Sequence, residues 1–320
     1  MSAPPPPAAP RPLFSHIPRA ESRALFFSLA AALLLLGLKF FAYYLTGSAA
    51  VLSDALESIV NVVAAAFALY ALRLAHAPAD ADHPYGHGKI EFFSAGFEGG
   101  GILLAAIFIA AHAVHDLLWP HPIESVSSGL YLLLLAMLVN GALGLYLIRS
   151  GRKHGSLTIE ADGHHLLSDA VTSVAVITAL LLIKLTGYTR IDPVAALLVA
   201  AYLAHLSLRL LRRSAAGLMD EQDAGDDRLI RSILDAHLCP TGREPQICSY
   251  HKLRHRHTGR YHWVDMHLVV PPHLDITTAH QLASTIEYEI EQHLGPGNAT
   301  AHVEPCKDLA HHHDQQDAQS

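Results

Sequence analysis

Six apolar stretches, roughly 24–46, 49–74, 92–118, 128–148, 158–185 and 192–211, occupy the first two thirds of the chain. Each reaches the ~20 residues that an α-helix needs to cross a bilayer, so together they predict six transmembrane helices. The third and fifth begin on polar residues, which lowers their windowed hydropathy without shortening them. Composition agrees with a membrane protein: of 320 residues, 51% are hydrophobic and only 16% charged, with a mean hydropathy of +0.26. Basic residues set the orientation. Arg11, Arg19 and Arg23 precede the first span, Lys89 lies between the second and third, Arg149, Arg152 and Lys153 follow the fourth, and Arg209, Arg212 and Arg213 follow the sixth. The opposite side has only Lys184 and Arg190 near its last turn, so the bias toward basic cytosolic loops predicts both termini in the cytosol. The expected location is the cell (inner) membrane, crossed several times.

Against that apolar background, ionisable residues recur at helical spacing. In Glu160-Ala-Asp162-Gly-His-His165-Leu-Leu-Ser-Asp169, the side chains of Asp162, His165 and Asp169 are three and four residues apart and share one helix face. The second span repeats those offsets with Asp54, Glu57 and Asn61. An aspartate at mid-bilayer costs about 2.5–3.5 kcal/mol, so such residues mark an ion or proton path. Two stripes facing each other make a cage of oxygen and imidazole donors, a divalent-metal site by its chemistry. The competing reading is that buried polar groups only bond neighbouring helices, and Asn61 alone fits that too. Glu98, Asn140 and Lys39 are also polar within spans but match no pattern, and packing between helices is their expected role.

Residues 1–22 are rich in proline and alanine and read as a flexible cytosolic tail, without the layout of a cleaved signal. After residues 23–213, the membrane domain, the texture becomes that of a small soluble α+β domain over 214–306. Asp226 to Leu238 reads as an amphipathic helix, Gln246 to Arg254 and Tyr261 to Val270 as strands about a turn at Thr258-Gly259, Ile276 to His293 as a helix, and Asn298 to Val303 as a strand. The order αββαβ gives a ferredoxin-like sheet with helices on one face. Its core is thin, so a partner or metal is expected to support it. Residues 307–320, with His311-His-His313, read as a disordered tail. A net charge of −7 with no basic patch excludes a nucleic-acid partner. Three widely spaced cysteines (Cys239, Cys248, Cys306) indicate neither a disulfide framework nor a CxxC zinc module, whereas 24 histidines, several clustered, lean toward metal.

Taken in order, Thr46-Gly-Ser48, Ser53-Asp-Ala55-x-Glu57-Ser58, His83-Pro-Tyr-Gly-His87-Gly-Lys89, His165-x-x-x-Asp169 and the αββαβ tail resemble the cation diffusion facilitator family over about residues 24–306. Members are six-helix transporters that export divalent transition metals, typically in exchange for protons. The resemblance implies a tetrahedral transport site from Glu57, Asn61, His165 and Asp169. Glu57 and Asn61 depart from the family's usual Asp or His and Asp. Asn offers only a neutral carbonyl oxygen, which leaves two carboxylates rather than three around the ion. Asp54 and Asp162, one turn earlier, would orient the ligands or admit the ion. The same resemblance places a cytosolic loop site at Asp80, His83 and His87, for which a turn with helix-capping aspartates is the alternative. It places metal ligands at a dimer interface on His251, His267, His280, His302 and Glu304, where plain surface histidine is the alternative. Lys89 at the start of the third span and Asp220 just past the sixth carry opposite charges at one membrane face and suggest a charge clamp, which the resemblance would place across a homodimer axis; Lys89 as a basic anchor is the alternative.

Protons and metal compete for the same lone pairs, so a cage opening alternately to each side would exchange a cytosolic dication for protons from outside. Histidine as a residue type titrates near neutral pH, which makes His165 the natural coupling residue. Zinc suits imidazole and carboxylate donors as substrate and regulator, with iron, manganese, cobalt or cadmium open. A metal-responsive membrane receptor or a cation channel is the alternative of another class. An enzyme is not expected, since no nucleophile and base stand together.

Overall fold

A computed structural model describes residues 19–46, 49–119, 130–188, 190–238 and 246–306. Most of the proline-rich N-terminal stretch, Gly47 and Ser48, Cys239 and His311 to His313 lie outside the described residues, as do the side chains of Asp54, Glu57 and Lys184. Six long helices build one unit: α1 (Arg19–Thr46), α2 (Ala49–Ala75), α3 (Ile90–Leu118), α4 (Leu130–His154), α5 (Leu157–Thr186) and α6 (Ile191–Leu218). Five carry a membrane's length of apolar sequence, and in α2 the described apolar part is Asn61–Ala75. Arg19 to Ser22, expected in the tail, already belong to α1, where Glu21 is buried against His76 Nε2 at 3.4 Å. The outer surface carries Phe26, Phe41, Leu104, Phe108, Leu138 and Leu198, while Ser28, Ser94, Ser207, Glu98 and Asp162 are inside. Apolar outside and polar inside is the arrangement a bilayer favours, since lipid cannot satisfy a polar group.

The helices associate mainly as three pairs, α1 with α2, α4 with α5 and α3 with α6. Two serine hydroxyls seven residues apart clasp the last pair: Ser207 Oγ donates to Gly99 O and Ser214 Oγ to Phe92 O, each at 2.6 Å. Such bonds matter in a membrane because no hydrophobic force drives helices together there. The α4–α5 pair uses absence of side chains instead. A Cβ on Gly144 would sit 2.8 Å from Gly163 O, and one on Gly163 would sit 2.7 Å from Ile148 N, so only glycine allows this backbone approach. The helix carrying Asp162, His165 and Asp169 is thereby seated directly against α4. Its start is fixed by Ser156, whose Oγ accepts from Ile159 N, and its end by Gly187 in the left-handed region at φ 73°.

The soluble unit follows as α7 (Ala224–Ala236), β1 (Ser249–Thr258), β2 (Tyr261–Val270), α8 (Ile276–Leu294) and β3 (Gly297–Pro305), the αββαβ order expected. Sheet order is β1-β2-β3, with β1 antiparallel and β3 parallel to β2. Ile230, Ile233 and Leu234 of α7 and Leu282, Ile286 and Ile290 of α8 cover Val264, Met266 and Leu268, so both helices lie on one face. Each helix starts on an aspartate cap: Asp223 Oδ1 accepts from Gly225 N and Asp226 N, and Asp275 Oδ1 from Thr277 N and Thr278 N. The first strand begins at Ser249 rather than Gln246 and runs on to Thr258. A bulge between His251 and Arg254 interrupts it, with Lys252 in the left-handed region at φ 49°.

Candidate metal centre

Inside the helical unit the side chains of Asn61, His165 and Asp169 meet. Asn61 Nδ2 donates to Asp169 Oδ2 at 3.0 Å, and Asn61 Oδ1 faces His165 Nε2 at 3.2 Å. The amide therefore spans two residues of α5 that lie one helical turn apart, the geometry their four-residue spacing predicted. A third helix contributes a group that sequence spacing did not single out for this place. Glu98 of α3 is 2% exposed, and its Oε2 lies 3.5 Å from His165 Nδ1. Expected only to pack, Glu98 instead flanks the imidazole on the side away from Asn61. The one warning in sequence was its cost, because a carboxylate in a span needs a partner. Asp162, one turn before His165, is 1% exposed and close enough to Glu98 to act on it electrostatically. Imidazole nitrogen, carboxylate oxygen and amide oxygen together form a donor set that suits a borderline divalent ion such as zinc.

At the end of the unit near the start of α5, Glu160 joins three helices. Its carboxylate accepts from Arg152 Nε of α4 at 3.0 Å and Arg213 Nη1 of α6 at 2.9 Å. This fork explains the acidic residue that opens the fifth span, as a strut rather than a ligand.

The loop between α2 and α3 brings Asp80, His83 and His87 together. Asp80 Oδ1 accepts from His83 N at 2.7 Å and lies 3.1 Å from His83 Nδ1, while its Oδ2 lies 3.3 Å from His87 Nε2. The rings of the two histidines are 4.4 Å apart. The hydrogen bond from the His83 backbone holds the Asp80 carboxyl below its ordinary range, so it is ionised at neutral pH. Asp80 makes the expected turn, also accepting from Asp82 N, but it does not cap α3, whose N-cap is Lys89 with no side-chain bond.

On the sheet face away from α7 and α8, strand register lines up His251, His267 and His302 in one row across β1, β2 and β3. Glu304, two residues along β3, closes the group: its Oε1 is 2.8 Å from His267 Nδ1 and 3.8 Å from His302 Nε2, and its Oε2 is 3.5 Å from His251 Nε2. The His267 hydrogen bond comes first among the influences that hold the Glu304 carboxyl below its ordinary range. His280 does not join them within one chain. It is exposed on α8, whose buried side packs on the opposite face of the sheet. Asp220 lies within the soluble unit 3.4 Å from Arg256 Nη1, while Lys89 Nζ donates to Leu218 O at 3.4 Å.

Comparison with known proteins gives a consistent result over both units. Residues 25–219 match the cation efflux transmembrane domain and residues 241–306 the cytoplasmic domain of cation efflux proteins. The chain is similar to an uncharacterised transporter, sll1263, of Synechocystis sp., at 38% identity covering 88% of this chain and 89% of the relative. It is also similar to the cation-efflux pump FieF of Shewanella oneidensis, at 29% identity over 88% of this chain and 92% of the relative. FieF of Yersinia pestis is 29% identical over 87% and 90% of the two chains.

Proposed function

Because the chain belongs to the cation efflux family of multi-pass membrane transporters, we propose that it exports a divalent transition metal from the cytosol in exchange for protons. The observation that carries this reading is the contact of Asn61, His165 and Asp169 between two apolar helices, with Glu98 behind the imidazole. Both ring nitrogens of His165 face oxygen acceptors, an arrangement that suits a ring carrying a proton on each nitrogen. A dication needs the lone pair on one of them, so its arrival requires a proton to leave. Asn61 then turns its carbonyl oxygen, and Asp169 its carboxylate, to the ion. Glu57, one turn before Asn61 on α2, would complete four donors. Alternating exposure of this cage to the two sides couples metal leaving the cytosol to protons entering it.

Zinc is the substrate this donor set favours first, ahead of iron, manganese, cobalt and cadmium. Basic residues at Arg23, Lys89, Arg149, Arg152 and Arg213 support cytosolic termini in the cell membrane. The cytosolic loop group and the His251, His267, His302 and Glu304 row would receive metal on that side. A second copy of the chain, joined as a homodimer, would bring His280 to such a row and pair Lys89 with Asp220.

Flux in sealed vesicles tests the reading. Zinc uptake into inverted vesicles should follow an imposed proton gradient, and zinc should in turn drive proton flux. Asp169→Ala and His165→Ala should each abolish both while leaving a folded protein. Metal conduction that ignores the proton gradient would point to a channel, and wild-type flux in Asp169→Ala would end the proposal.

A further inference from the structure

We propose that Asp226, His257 and His262 form a separate binding site for zinc or a similar borderline dication, at the hairpin end of the soluble domain. The bulge after His251 turns the rest of β1 over, so His255 and His257 pair with Val264 and His262 on the face that α7 and α8 cover. There the first turn of α7 places Asp226 Oδ2 2.9 Å from His262 Nδ1 and 3.0 Å from His257 Nε2. The two rings stand edge to face with centroids 4.4 Å apart. One donor atom from each of the three residues falls within 4.8 Å of the other two. Tetrahedral zinc with bonds near 2.0 Å separates its donors by about 3.3 Å, so a small outward adjustment around an ion suffices.

A second observation points the same way. His255 is 5% exposed, its Nε2 is buried without a hydrogen-bond partner, and it interacts electrostatically with Asp226 and His257. A polar ring nitrogen left unsatisfied in this corner costs stability unless something supplies a bond. The site is also held firmly. His262 N donates to Pro296 O at 2.9 Å, and Gly297 packs so closely on the His262 carbonyl that any side chain there would overlap it. Asp223 caps the same helical turn, and Asp227 adds a third carboxylate to the neighbourhood, which favours a cation over an anion.

This site is independent of the row at His251, His267 and His302. His262 and His267 are five residues apart on β2, about 17 Å along a strand, and they face opposite sides. An ion here would fasten the hairpin to α7 and so make the domain's stability depend on cytosolic metal, whatever the transport cage carries.

The test uses the full chain in detergent and zinc alone. Zinc bound per protomer at saturation should fall by one in Asp226→Asn and in His257→Gln, and an added His267→Ala change should lower it further. In the wild type, zinc should also slow hydrogen–deuterium exchange at the C2 carbons of His257 and His262, read by mass spectrometry, which needs no variant. Unchanged stoichiometry in folded Asp226→Asn, or exchange at both histidines that zinc does not slow, would reduce the group to a hydrogen-bonded strut and overturn the proposal.

Discussion

The close approach of α4 and α5 can be isolated by comparing two glycines on one helix. A Cβ on Gly144 meets Gly163 O at 2.8 Å and Leu167 N at 2.9 Å, whereas one on Gly141 meets only Ala170 Cβ at 3.6 Å. Ordinary contact begins near 3.4 Å, so Gly144→Ala must move the helices apart by about 0.6 Å (3.4 − 2.8), and Gly141→Ala need not move them at all. Both changes gain the same helix propensity, about 1 kcal/mol relative to glycine. Their difference therefore reports the overlap, for which inserting a methyl into a packed seam typically costs about 1–3 kcal/mol. The same displacement acts on the helix that carries His165 and Asp169. Hydrogen bonds of 3.0 and 3.2 Å to Asn61 tolerate little of it before they fail. Thermal unfolding of the two variants in detergent should place Gly144→Ala below Gly141→Ala, with zinc flux reduced only in the former. Equal melting and equal flux would show that the pair relaxes without cost and that the glycine contact does not set the cage.

Two further outcomes follow from single contacts. Glu98→Gln should keep the fold but raise the zinc concentration for half-maximal transport by about 10–100-fold, the usual effect of removing a partner behind a metal-ligating histidine, and should alter the pH profile of flux. An unaltered pH profile would leave Glu98 as packing. Asp223→Ala should cost about 1 kcal/mol through loss of the α7 cap. Backbone bonds from Asp226 and Gly225 hold the Asp223 carboxyl below its ordinary range, so its contribution is complete above the unfolded value and is lost as pH falls through the lower folded one. Melting in chelator should therefore differ between wild type and variant at neutral pH and converge in acid.

The legible parts of this chain are those where one period governs. Lipid cannot satisfy an ionised group within a span, so the four-residue spacing of His165 and Asp169 marks one inward helix face, and there both side chains meet Asn61. Glu98 carried no such period. It stands in a run of glycines, and its nearness to His165 arises from how α3 packs on α5, which no spacing along a single helix encodes. The soluble domain shows the same limit in β form. By simple alternation His251, His255 and His257, all at odd positions, would share one face of the sheet and read as a single histidine stripe. The bulge at Lys252 inserts one residue and reverses the face, so His251 joins His267 and His302 on one side while His255 and His257 meet His262 on the other. Nothing in the residue types of His251-Lys252-Leu253-Arg254 announces a left-handed lysine, because that conformation is held by the pairing on either side of it. One unreadable backbone angle thus divides what looks like one histidine stripe into two clusters on opposite faces of the sheet.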